Sequence, residues 1–135
     1  MSAFVDAAVL VAILAEEEDG EVLLNRLEEY MNPITSPIAL FESALGIARK
    51  RKSTAVVAFR DVQEFLDEAE ISLVDITGTE ADLAIAAFDR FGKGRHRAKL
   101  NMGDCFSYAC AKARNVPLLG RGDDFIPYRY RDRVK

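Results

Sequence analysis

The sequence predicts an α/β fold of three layers, a short central parallel β-sheet flanked by helices on both faces. Three observations carry that expectation. Short apolar runs alternate along the chain with helix-length segments, the order that yields parallel strands joined by helical crossovers. The runs themselves are apolar throughout or β-branched, as in Ala3-Phe4-Val5 and Pro117-Leu118-Leu119, which suits strands covered on both faces. The chain has 135 residues, 50% of them apolar. That is the size of one domain, expected over 1–135, and its core can stand without disulfides or a structural metal.

The elements follow in order. Ala3-Phe4-Val5 ends on Asp6 and reads as a buried strand. Ala7 to Ala15 is apolar and helix-compatible, and Asp19-Gly20 opens a second helix with Val22, Leu23, Leu27 and Tyr30 at helical spacing. Asn32-Pro33 breaks that helix, and Ile34-Thr35 forms the second strand. Ser36-Pro37 starts a helix with a hydroxyl N-cap and proline at the first helical position. Its basic end, Arg49-Lys50-Arg51-Lys52, suits the negative end of the helix dipole. Ser53 or Thr54 caps a fourth helix carrying Val57, Val62, Phe65 and Leu66. Ile71 to Ile76 alternates and is β-branched, so it is expected as the third strand. Thr79 opens a helix reaching Phe91, and Gly92 to Lys99 is a basic loop. A helix from Gly103 to Arg114 is apolar on most faces and therefore buried. Asn115 ends it, and Pro117-Leu118-Leu119 is the fourth strand.

Composition narrows the function classes. No apolar run approaches the ~20 residues that span a bilayer, so no membrane role is expected. The N-terminus shows no basic stretch followed by a cleavage site, so no signal peptide is expected either. Cys105 and Cys110 would lie about 140° apart on one helix, which suits neither a mutual disulfide nor a metal clip. Together these point to a reduced, cytosolic compartment. The net charge is −4, which alone argues against nucleic acid, but it is unevenly spread. Residues 1–91 carry 7 Lys/Arg against 18 Asp/Glu, a net of −11, whereas residues 92–135 carry 11 against 4, a net of +7. Such asymmetry is the footprint of an anionic partner meeting one face.

Ligands of open α/β sheets bind beyond the carboxyl ends of the strands, so acids expected there are candidates. Asp6 directly follows the first strand. Glu42 lies early in the helix after the second, Asp104 opens the helix leading into the fourth, and Asp123 and Asp124 follow the fourth. Carboxylates converging in this way disfavour joint ionisation unless a cation neutralises them. An oxygen-only ligand set suits Mg²⁺ or Mn²⁺ rather than zinc, and an ion so held serves displacement at phosphorus. Each acid also has a structural alternative. Asp6 and Asp104 are placed to cap helices, Glu42 to be a half-exposed helix residue, and Asp123-Asp124 to form a turn.

Other chemistries find less support. His96, the only histidine, lies among cations and reads as an exposed loop residue, leaving a serine or cysteine nucleophile without a base. Gly92-Lys93-Gly94 lacks the spacing of a phosphate-binding nucleotide loop. Ala8 stands where an aspartyl-nucleophile phosphatase would need a second Asp.

Three segments together resemble the PIN-domain ribonucleases, and among them the VapC toxins of bacterial toxin–antitoxin pairs. They are Asp6 after an initial strand, Glu42 within Ser36-Pro37-Ile38-Ala39-Leu40-Phe41-Glu42, and Leu100-Asn101-Met102-Gly103-Asp104-Cys105-Phe106. The stretches Phe91-Gly92-Lys93-Gly94-Arg95-His96-Arg97-Ala98 and Gly122-Asp123-Asp124-Phe125 resemble one VapC subgroup. The resemblance covers nearly the whole chain and implies a PIN-domain-like fold. It further implies a Mg²⁺-dependent endoribonuclease, with Mn²⁺ as a substitute, that cleaves structured cellular RNA such as tRNA or rRNA and halts translation. A cognate VapB-like antitoxin, a homodimer, a hetero-oligomer with the antitoxin and a bacterial cytoplasmic location are implied too.

Position by position, Asp6 and Asp104 match the principal metal ligands and Glu42 the third acid. Asp124 matches the fourth by its place before Phe125, with Asp123 as the alternative. Ala8 departs from the family, which often has Ser or Thr there to support the metal's surroundings. Lys93, Arg95, Arg97, Lys99 and Arg121 are the expected contacts to RNA phosphates, which set affinity and register without reading bases. Two rival functions share these features: a non-catalytic PIN-like interaction module, and a metal-dependent nuclease directed at DNA.

Overall fold

The computed structural model describes residues 1–92, Gly94 and residues 99–121. Among these residues four strands, β1 (Phe4–Val5), β2 (Ile34–Thr35), β3 (Ser72–Leu73) and β4 (Leu118–Leu119), form one sheet in the order β3-β2-β1-β4. Every pairing is parallel, with Phe4 opposite both Ile34 and Leu118, Val5 opposite Leu119, and Thr35 opposite Leu73. Among the described residues six helices connect them: α1 (Ala7–Leu14), α2 (Gly20–Glu28), α3 (Pro37–Arg51), α4 (Ala55–Glu68), α5 (Gly78–Phe91) and α6 (Met102–Ala113).

The strand order explains the layering. From β1 through β2 to β3 the chain steps one way across the sheet, then returns past β1 to place β4 on its far side. Parallel crossovers keep one hand, so reversing the direction of travel moves the connecting helices to the opposite face. Accordingly Val5 and Leu119 pack with Val9, Leu23, Ile47, Val62 and Leu66 from α1–α4. Phe4 and Leu118 pack instead with Ala84, Phe91, Tyr108 and Ala109 from α5 and α6. Successive strand residues point to opposite faces, so two residues per strand are enough to seed both halves of the core.

The helix starts follow from local chemistry. Ser36 accepts the Ala39 N–H at 3.1 Å, with Pro37 next in line, and Lys52 closes α3 in the left-handed region at φ 56° after the basic run. Thr54 caps α4. Asn115 follows α6 at φ 55°, as the sequence predicts for a terminating Asn. Two helices begin earlier than expected. For α5 the cap is Thr77, whose N–H and hydroxyl both donate to Glu80 Oε1 at 2.7 and 2.6 Å. For α6 the cap is Asn101, paired reciprocally with Asp104. Strand β3 is shorter than the Ile71–Ile76 alternation suggests. It lies at the sheet edge and pairs only with β2, while Ile71 turns into one half of the core and Val74 and Ile76 pack against the other. No helix among the described residues is long and apolar enough to cross a membrane.

Candidate functional site

The sheet order changes direction between β1 and β4, and crevices form at the carboxyl ends of strands flanking such a point. Asp6 sits there. Its N–H donates to Leu119 O at 3.0 Å, continuing the ladder beyond β1, and its side chain caps α1 by accepting the Ala8 N–H at 3.1 Å. The other carboxylate oxygen accepts the Ser107 hydroxyl at 2.7 Å. Asp6 is only 4% exposed. Burial pushes its carboxyl up to about 6, and the neighbouring charges of Asp104 and Glu42 add to the rise.

Glu42 enters from the second turn of α3. Its carboxyl is also raised, first by burial and then by Asp104. It lies against the first turn of α6, so close that a Cβ on Gly103 would fall 2.1 Å from both of its oxygens. Any side chain at position 103 would force that carboxylate to move. Asp104 stands at the third position of α6, where its Oδ2 accepts the Asn101 N–H at 3.1 Å and Asn101 Oδ1 accepts the Asp104 N–H at 2.9 Å. Helix N-termini carry partial positive charge, which offsets part of the cost of holding acids together at the starts of α1 and α6.

The structure thus brings Asp6, Glu42 and Asp104 into one electrostatic neighbourhood, drawn from positions far apart in the sequence. Asp6 is the N-cap of α1 and Asp104 is the capping-box partner of Asn101, so the structural alternative holds for both. Asp123, Asp124, Lys93, Arg95, His96 and Arg97 lie outside the described residues. On either side of those cations in the sequence, Leu100 N–H donates to Phe91 O at 3.0 Å and Gly92 bridges Leu100. Lys99 is exposed beside that bridge. Arg121 has a different setting. Its Nε donates to Asp19 Oδ2 at 2.6 Å and its Nη1 to Glu17 Oε1 at 2.8 Å, tying the exit of β4 to the turn between α1 and α2.

Whether these residues suit a metal is decided by their donors. All three acids offer oxygen only, and Asp6 and Glu42 resist ionisation because of burial and mutual repulsion, a cost that a divalent cation reverses. The set fits a hard ion such as Mg²⁺ or Mn²⁺. Among the described residues no three such side chains converge closely enough to enclose an ion unaided. An apolar groove of about 620 Å³ between α5 and α6, walled by Ile85, Phe88, Met102 and Phe106 among others, takes in none of the three acids. It offers no chemistry comparable to the carboxylate cluster.

Two contributors escape a reading based on acids alone. Ser107 and Gly103 carry no charge, and their partners are distant in sequence. The one available signal is periodicity, since Ser107 falls three residues after Asp104 and so shares its helix face.

Comparison with known proteins places the chain in a family. Residues 3–129 match the PIN domain family model. The chain is 39% identical over 121 residues to Ribonuclease VapC of Mycolicibacterium smegmatis, covering 90% of this chain and 92% of that protein. It is likewise 39% identical over 121 residues to Ribonuclease VapC30 of Mycobacterium tuberculosis, covering 90% of each. A VapC ribonuclease of Rhizobium meliloti is 36% identical over 134 residues, with 90% of this chain and 94% of the relative covered.

Proposed function

The chain belongs to the PIN-domain family, in its VapC branch, and we propose that it is a Mg²⁺-dependent endoribonuclease toxin. Its substrate is structured cellular RNA, tRNA or rRNA, whose cleavage stops translation, and a VapB-like antitoxin restrains it. The observation that carries this reading is that Asp6, Glu42 and Asp104 feel one another's charge beside the sheet's switch point, with the Asp6 carboxyl raised to about 6.

In this reading Asp6 and Asp104 hold the ion, Glu42 joins them, and Asp124, or Asp123 in its place, completes the set. A bound divalent ion supplies Lewis-acid stabilisation of the charge that develops on the phosphate. The chain's own residues do the rest. The Ala8 N–H and the Ser107 hydroxyl fix the carboxylate of Asp6 from two sides, and Asn101 fixes Asp104. Glu42, half-buried with its proton affinity raised, is suited to take the proton of the attacking water. Lys93, Arg95, Arg97 and Lys99 contact phosphates flanking the cleaved bond. Arg121 already meets two carboxylates and serves the fold first. One domain over 1–135, a homodimer, a hetero-oligomer with the antitoxin and a cytoplasmic location complete the reading.

Asp104→Asn tests it. Asparagine keeps an oxygen that can accept the Asn101 N–H, so α6 stays capped while the ligand charge is lost. Mg²⁺-stimulated RNA cleavage and growth inhibition are expected to disappear with an unchanged circular dichroism spectrum. Cleavage at the unmodified rate would refute the mechanism.

A further inference from the structure

We propose that Ser107 is a positioning residue for metal binding, its hydroxyl holding the carboxylate of Asp6 in the orientation that receives the cation. The inference rests on the site reading above and extends it to a residue that carries no charge.

Two buried serines on helices make an informative pair. Ser43, in α3, donates its hydroxyl to Ala39 O at 2.6 Å, four residues back on its own helix. That is the usual outlet for a buried helical serine. Ser107, 2% exposed in α6, instead leaves its helix and donates to Asp6 Oδ1 at 2.7 Å, across 101 residues of sequence. A serine placed only to fill space has its own backbone for a partner. This one reaches a carboxylate at the end of the neighbouring strand.

The second oxygen of Asp6 accepts the Ala8 N–H. The two donors come from different elements, α1 and α6, and together they fix the carboxylate plane. With one of them removed, the group can turn about its Cβ–Cγ bond and its oxygens no longer hold a single direction. Partners that orient a metal ligand in this way typically contribute about 10–100-fold in metal affinity or activity. Because Asp104 stands one turn before Ser107 on the same helix, the contact also sets α6, and with it the second principal ligand, against the end of β1. The hydroxyl therefore couples two ligands rather than tuning one.

The test titrates the full-length chain with Mn²⁺ alone, followed by electron paramagnetic resonance, beside a thermal unfolding curve for each variant. Ser107→Ala is expected to weaken Mn²⁺ binding about 10–100-fold. Cys110→Ala, which trims another buried side chain of α6, leaves affinity within about twofold of the parent, as for a site that shares no partner with the acids. Equal losses in both variants would assign the effect to helix packing and overturn the inference. Parental affinity in Ser107→Ala, with binding lost in Asp6→Asn, would overturn it while leaving the site intact. Parental affinity in Asp6→Asn would bring down the site reading and this inference together.

Discussion

Replacing Gly103 with alanine separates the stability of this fold from its chemistry. The added Cβ would lie 2.1 Å from each oxygen of Glu42 and 2.3 Å from its Cδ. Non-bonded heavy atoms settle at roughly 3.5 Å, so the carboxylate must retreat by more than about 1 Å. Glu42 has a long side chain and is half-buried, so the retreat is cheap in folding energy. Alanine is also favoured over glycine within a helix by about 1 kcal/mol. The expected change in stability is therefore within about 1 kcal/mol, of either sign. Activity responds differently, because a misplacement of about 1 Å at a reacting group can cost about 100-fold. Single-turnover cleavage of an end-labelled RNA at saturating Mg²⁺ measures the second quantity, and urea unfolding measures the first. Because the alanine acts through Glu42, combining Gly103→Ala with Glu42→Ala should be no slower than Glu42→Ala alone. Parental cleavage in Gly103→Ala, or additive losses in the double variant, would refute the steric argument.

Two further outcomes follow from charge. Without metal, the Asp6 carboxyl at about 6, against its ordinary 3.8, keeps a proton that the unfolded chain has already released. The contribution of Asp6 to stability is therefore fully present below pH ~4 and is lost, by about 3 kcal/mol, as the pH rises through ~6. Thermal melts in EDTA would show that slope, Asp6→Asn should flatten it, and a slope unaltered in the variant would remove Asp6 as its source. For the basic loop, Lys93→Ala combined with Arg95→Ala should weaken RNA binding and flatten its logarithmic salt dependence by about 1.5, since each lost phosphate contact removes about 0.7–0.9. Arg121→Ala should leave the slope unchanged while lowering stability, and fluorescence anisotropy across a salt series distinguishes the two.

The layered sheet and three of its acids were legible in the sequence because each rests on a local pattern. A short apolar run ending in Asp, a Ser-Pro helix start and a mostly apolar helix near the C-terminus locate Asp6, Glu42 and Asp104 without knowledge of contacts. Boundaries were less legible where capping residues crowd together. Thr77, Gly78 and Thr79 all offer a start for α5, and only the reciprocal bonds between Thr77 and Glu80 choose among them. The alternation through Ile76 overstates β3 because a periodic pattern does not reveal where pairing stops. Gly103 and Ser107 were invisible for a different reason, since what they do exists only after α3, α6 and β1 have come together. Formal charge misled in a similar way. Arg114 and Arg121 count toward the basic C-terminal third, yet the structure pairs them with Glu80 and with Glu17 and Asp19.

The position of β1 between β2 and β4 has a consequence in time. Asp6 is synthesised 101 residues before Ser107, yet its backbone N–H waits for Leu119 and its side chain for Ser107. A nascent chain that has passed α3 already carries Asp6 and Glu42, yet it has no α6 to bear Asp104 and no last strand to lock the switch point. The neighbourhood of Asp6, Glu42 and Asp104 is consequently completed only once α6 and β4 have joined β1, and a product truncated before Leu118 would lack the strand that anchors Asp6.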